Sequence, residues 1–165
     1  MSFSFESLWD NFPSTPTKHL NPNTNKPTFD NYCAINLSEA LYNVGVKTNT
    51  FTGTKCWACP KGGIHIIRAQ EMADWLKTKP FPELGDMISL NPDSFEDNDQ
   101  KGIIFLKDYW RRGNQKERTG DHIDLWNGSR MTSVSSWFRA QWGISWDGIY
   151  SDYSLSKEIL FWPIK

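Results

Sequence analysis

The run Gly102-Ile103-Ile104-Phe105-Leu106 sets four large apolar side chains in a row. A continuous run of this kind is the mark of a strand buried on both faces, so the rest of the chain must cover both of them. The residues before it carry helical stripes. Phe5, Leu8, Trp9 and Phe12 recur at i, i+3, i+4 and i+7 on a short helix that Pro13 ends. Ala34, Ile35, Leu37, Ala40, Leu41 and Val44 predict an amphipathic helix of about three turns, opened by the Asp30/Asn31 pair and closed by Gly45. Ala69, Met72, Ala73 and Leu76, with Trp75 beside them, predict another that Pro80 ends. A further helix is read over Ser133 to Trp142.

Strand signals cluster late. Ile64-His65-Ile66-Ile67 reads as a short strand, while Asp121 to Trp126 alternates polar and apolar residues and stops at the turn pair Asn127-Gly128. Glu158 to Trp162 reads as a closing strand, with Pro163 confining its end to a sheet edge. Residues 81–101 are read as a connection, and the polar, basic stretch 108–120 as a loop long enough to border a site. Helices first and strands late make an α+β fold, a small mostly antiparallel sheet with N-terminal helices packed on it. At 165 residues the chain fits one domain, 1–165.

A net charge of −1 supplies no global field that would recruit nucleic acid or an anionic membrane. No apolar run approaches the roughly 20 residues of a membrane span. The opening Met1-Ser2-Phe3-Ser4-Phe5-Glu6 has neither a cationic start nor an apolar core, so it is not read as a secretory signal. Export would then use a route that reads no such signal. Nine tryptophans exceed what a core of this size needs and suggest a groove that grips sugar or peptide.

Cys33 falls in the first turn of its helix, where free N–H groups and the positive end of the dipole favour a thiolate. A thiol there is either a small buried hydrophobe or a nucleophile. Alternation sets His122 and Asp124 on one face of their strand, with Ile123 and Leu125 on the other. An imidazole beside a carboxylate, facing such a thiol, is what thiol hydrolysis needs: a base for the sulfur proton and a group to fix the base's tautomer. Cys33 and His122 stand 89 positions apart, a separation that folding rather than a local motif must close. Cys56-Trp57-Ala58-Cys59 has three readings: a redox pair, half of a zinc site, or a local disulfide. Zinc needs four ligands and only His65 is close in sequence, so no metal is expected; His19, in the extended loop 13–29, reads as solvated. Arg111, Arg112, Lys116 and Arg118 either meet substrate carboxylates or are a solvated face.

Three stretches occur in the same order in a known family: Asn31-Tyr32-Cys33-Ala34-Ile35-Asn36-Leu37-Ser38, Ala69-Gln70-Glu71-Met72-Ala73-Asp74-Trp75-Leu76, and Gly120-Asp121-His122-Ile123-Asp124-Leu125-Trp126-Asn127-Gly128. Together with Lys157 to Trp162, they make the chain resemble the type VI secretion amidase effectors of the fourth family, papain-like peptidoglycan peptidases injected into rival bacteria. The resemblance implies a papain-like fold and cleavage between D-glutamate and meso-diaminopimelate in stem peptides. It further implies Cys33 as nucleophile, His122 as base, no cofactor, delivery to the target periplasm and a cognate immunity protein. Some relatives place an Asp eleven residues beyond the histidine; here that position is Ser133, so the third role passes to Asp124, with Asp147 and Asp152 as outside candidates. A Cys56–Cys59 disulfide formed on arrival in the periplasm is the reading of that pair that best fits an effector. The rival readings are a non-catalytic wall-binding module with exposed tryptophan platforms, and a thiol acyltransferase using the same Cys/His pair.

Overall fold

The computed structural model describes residues 2–14, 19, 21, 23–26, 28–29, 32–57, 59, 63–111, 118–132 and 156–165. The first helix, α1 (Phe5–Asp10), starts at Ser4, whose Oγ accepts from the Ser7 N–H at 3.2 Å. The second, α2 (Cys33–Asn43), takes Tyr32 at its N-cap with no side-chain cap; Asp30 and Asn31, expected to open it, lie outside the described residues. Its far end matches expectation. Gly45 at φ +93° lets its own N–H reach the Tyr42 carbonyl (3.0 Å) and the Val46 N–H reach that of Leu41 (2.9 Å), the paired bonds of a Schellman stop. The third helix, α3, is Ala69–Leu76. No helix among the described residues is long and apolar enough to cross a membrane.

Among the described residues four antiparallel strands form one sheet: β1 (Ile88–Leu90), β2 (Gly102–Arg111), β3 (Arg118–Trp126) and β4 (Glu158–Pro163), in the order β1-β4-β2-β3. The α+β architecture is therefore as read from the sequence, with four corrections. The closing strand β4 is interior, not an edge; Pro163 is tolerated because it stands at the strand's last position, opposite Gly102. Residues 108–111 and 118–120 extend β2 and β3 instead of forming one loop, with Arg111 paired to Arg118; Arg112 and Lys116 lie outside the described residues. Ile64–Ile67 is no strand but a single bridge, Lys55 to Ile66. β1 and a 3₁₀ turn at Phe95–Asp97 come from the stretch read as connection. The helix expected over Ser133 to Trp142 is outside the described residues.

The apolar run does separate two layers. Ile103 and Phe105, with Ile123, Leu125, Leu160 and Trp162, pack against Leu8, Leu37, Leu41, Met72 and Leu76 of the helices. Ile104 and Leu106, with Ile159 and Phe161, pack under Phe95, Trp126 and Met131. Each such fully buried side chain contributes roughly 1.5–3 kcal/mol. An exposed ion pair such as Arg68–Glu71 contributes about 0–1 kcal/mol, so burial rather than surface charge holds the sheet to its helices. At Gly102 a Cβ would stand 2.0 Å from the Trp162 carbonyl oxygen, so β2 and β4 can pass each other there only without a side chain.

Candidate active site

Cys33 is the first residue of α2, the helix that packs most against β3. No side chain caps this end of the helix, and its first turn carries no acidic residue. His122 and Asp124 face the same side of β3, opposite Leu106 and Ile104, as alternation predicts. The fold closes the 89-position gap: the His122 imidazole is hydrogen-bonded to the Cys33 sulfur. Its Nε2 lies 3.2 Å from Asp124 Oδ2, which leaves Nδ1 as the nitrogen for the sulfur. The other carboxylate oxygen, Oδ1, accepts from the Leu125 N–H at 2.7 Å and from Thr132 Oγ1 at 2.6 Å. Asp124 is thus held at both oxygens and aimed at the imidazole.

Thr132 was not singled out in the sequence. The Asn127-Gly128 reversal brings it there: Gly128 has φ +94°, Asn127 Oδ1 accepts from the Ser129 and Arg130 N–H groups, and Met131 bridges back to Trp126. Ser133, Asp147 and Asp152 lie outside the described residues. Cys33, His122 and Asp124 expose only 4, 6 and 1% of their surface, so any ligand meets no more than the edge of the sulfur and the ring. A concavity of about 260 Å³ lined by Val46, Lys47 and Phe81 belongs to the opposite end of α2 and contains none of the three.

Burial pushes His122 toward the neutral form. The hydrogen bonds to Asp124 and Cys33, with the charge of both, outweigh it and raise the imidazole from 6.5 to about 10. A histidine whose folded pKa exceeds its unfolded value binds its proton more tightly in the fold. It therefore stabilises the fold below pH 6.5, and that contribution is lost as pH rises to about 10. Unfolding midpoints in urea are expected to fall across this window, and His122→Gln is expected to flatten the fall. An unchanged slope in the variant would assign the loss to other groups.

A second cluster corrects two expectations. His19 is not a solvated loop histidine: it is fully buried, with Nδ1 at 3.0 Å from Cys56 Sγ. No disulfide joins Cys56 to Cys59; Cys59 Sγ instead contacts His65 Nδ1, while His65 Nε2 bonds Glu39. Burial, and His65 beside it, hold His19 below the ordinary histidine range against the opposite pull of Glu39. His19, Cys56 and Cys59 bring ligand atoms within 4.8 Å of one another and so could hold a metal ion.

The model of the family described as type VI secretion system (T6SS) amidase effector protein 4 matches residues 29–162. Similar solved structures include the type VI effector Tae4 from Enterobacter cloacae, with a TM-score of 0.64 and 17% identity over 100% of this chain and 98% of that one. The Tae4/Tai4 effector–immunity system from Salmonella typhimurium gives a TM-score of 0.62 and 21% identity over 100% of both chains. Salmonella typhimurium Tae4 in complex with the immunity protein Tai4 from Enterobacter cloacae gives 0.57 and 22%, over 98% of each. At these identities the likeness establishes the fold. No curated protein gives a significant match.

Proposed function

The chain belongs to the type VI secretion system amidase effector protein 4 family, and on that premise we propose that it is a papain-like cysteine amidase of peptidoglycan, a single domain over residues 1–165. Its substrate is the stem peptide and its target bond joins D-glutamate to meso-diaminopimelate. Delivered by type VI secretion to the periplasm of a target cell, it acts as an antibacterial toxin and is held in check by a cognate immunity protein. Solved relatives are effector–immunity complexes of Tae4 with Tai4, which supports the last point.

The observation that carries the reading is the hydrogen-bonded series Cys33–His122–Asp124. In the first step the Cys33 sulfur adds to the amide carbonyl, and the backbone N–H of Cys33 at the helix start donates to the developing oxyanion. His122 then gives its proton to the departing diaminopimelate nitrogen, leaving a thioester on Cys33. Water, deprotonated by His122, adds to the thioester and releases the D-glutamyl carboxylate and the thiol. Asp124, anchored by Thr132 and the Leu125 N–H, keeps Nδ1 turned to the sulfur throughout.

A wall-binding module would need aromatic platforms. Of the tryptophans whose side chains are described, Trp75, Trp126 and Trp162 are buried, Trp9 is half-buried and Trp57 is exposed, at 71%. Mass spectrometry of purified sacculi after incubation decides between the readings. Cleavage is expected to yield stems truncated after D-glutamate with a new free amine on diaminopimelate. Retention on sacculi with every stem intact would favour the binding module, and acylated rather than hydrolysed products would favour the acyltransferase.

A further inference from the structure

Both cysteines outside the active site, and both histidines outside it, converge on one buried spot. His19 arrives from the segment before α2, and Cys56, Cys59 and His65 from the loop between α2 and α3. That loop closes on itself through the Cys56 N–H bonded to the His65 carbonyl at 2.9 Å. The ring centroids of His19 and His65 are 5.0 Å apart, His19 Nδ1 is 3.0 Å from Cys56 Sγ, and Cys59 Sγ contacts His65 Nδ1. Tetrahedral Zn–S and Zn–N bonds of about 2.3 and 2.1 Å put neighbouring N and S ligand atoms about 3.6 Å apart; His19, Cys56 and Cys59 already bring theirs within 4.8 Å of one another, and His65, in contact with Cys59, completes the set by drawing in toward the other two. Two thiolates and two imidazoles are a donor set that zinc favours over harder cations. Behind His65, the Glu39 carboxylate accepts from Nε2, which fixes Nδ1 as the ligating nitrogen in the way metal-bound histidines are usually oriented.

We propose that His19, Cys56, Cys59 and His65 bind one Zn²⁺ in a closed structural site, with Glu39 orienting His65. Four protein ligands leave no position for water, so the ion takes no part in hydrolysis. Binding expels the two thiol protons, and Cys59, half-buried, is the most open ligand. The ion's work is to fasten loops to the helix that begins at Cys33. The Tyr32 hydroxyl donates to the His19 carbonyl at 3.4 Å, one residue before the nucleophile. The Ile66 N–H donates to Ser38 Oγ at 3.0 Å, and Ser38 in turn donates to the Ala34 carbonyl at 2.7 Å. Glu39, on α2 itself, completes the attachment.

The test is the metal content of protein purified without chelators, read by mass spectrometry. One zinc per chain is expected, retained in full by Cys33→Ala and lost in the double variant Cys56→Ser, Cys59→Ser. Glu39→Gln is expected to weaken zinc binding by roughly 10–100-fold. Because the double variant can fail to fold, the unmodified protein is titrated with an organomercurial, which should release the zinc as two thiols react. Cobalt exchanged into the site should show the intense visible bands of tetrahedral thiolate coordination. Metal-free protein that takes up no cobalt, a Cys56–Cys59 disulfide in the protein as isolated, or full zinc in a folded double variant would each overturn the proposal.

Discussion

Cys33→Ala is expected to give a folded protein that no longer cuts stem peptides, with kcat/KM down by at least roughly 10⁴-fold, the scale of losing one member of a nucleophile–base pair. The substitution removes one sulfur from a 4% exposed position in the helix-side core. Its stability cost should be near the ~1 kcal/mol typical of point changes. Thermal unfolding and circular dichroism should therefore hardly move while amine release from sacculi vanishes. Directed to the periplasm, the variant should be harmless where the parent lyses. Equal lysis by both would remove the thiol from the chemistry altogether.

Asp124→Asn carries the second large effect, through the protons rather than the packing. The amide is nearly isosteric with the carboxylate, but Oδ1 already accepts from the Leu125 N–H and Thr132 Oγ1. An asparagine oxygen satisfies those two donors, so its NH₂ group turns toward His122 Nε2. That amide donates where the carboxylate accepted. Nε2 becomes an acceptor, the ring proton moves to Nδ1, and the nitrogen facing the sulfur can no longer take a proton. A fall in kcat of about 10²–10⁴-fold is expected, with KM little changed because Asp124, at 1% exposure, meets no substrate. Asp124→Ala should unfold more easily than Asp124→Asn, since it strands two buried donors at about 1–3 kcal/mol each. Full kcat in Asp124→Asn would pass the third role to another residue.

The parts of this site that were legible in the sequence are those set by local periodicity. A helix beginning near Cys33 follows from the 3.6-residue stripe behind it, and the shared face of His122 and Asp124 from strand alternation. Thr132 has no periodic signal, because its role depends on a reversal whose geometry returns the chain over Trp126. His19 was misread for the same reason. A polar loop looks solvated unless its partners are known, and here Cys56 stands 37 positions away. The interior place of β4 escaped because Pro163 is a local argument about one hydrogen bond, whereas spatial strand order is settled by the whole sheet. A strand as short as Ile88–Leu90 shows too little alternation to be read at all.

The insertion of β4 between β1 and β2 also sets when this molecule comes into being. Its residues 158–163 bridge strands begun some seventy and fifty-five positions earlier, and the last backbone bonds, Gly85 to Pro163, Ile164 to Lys101 and Lys165 to Glu83, pin the tail to distant loops. Synthesis therefore cannot finish the sheet that holds β3 until this tail has left the ribosome, and pairings so remote in sequence form slowly. Until residues 158–163 pair with it, the second edge of β2 stays open while its other edge already carries β3.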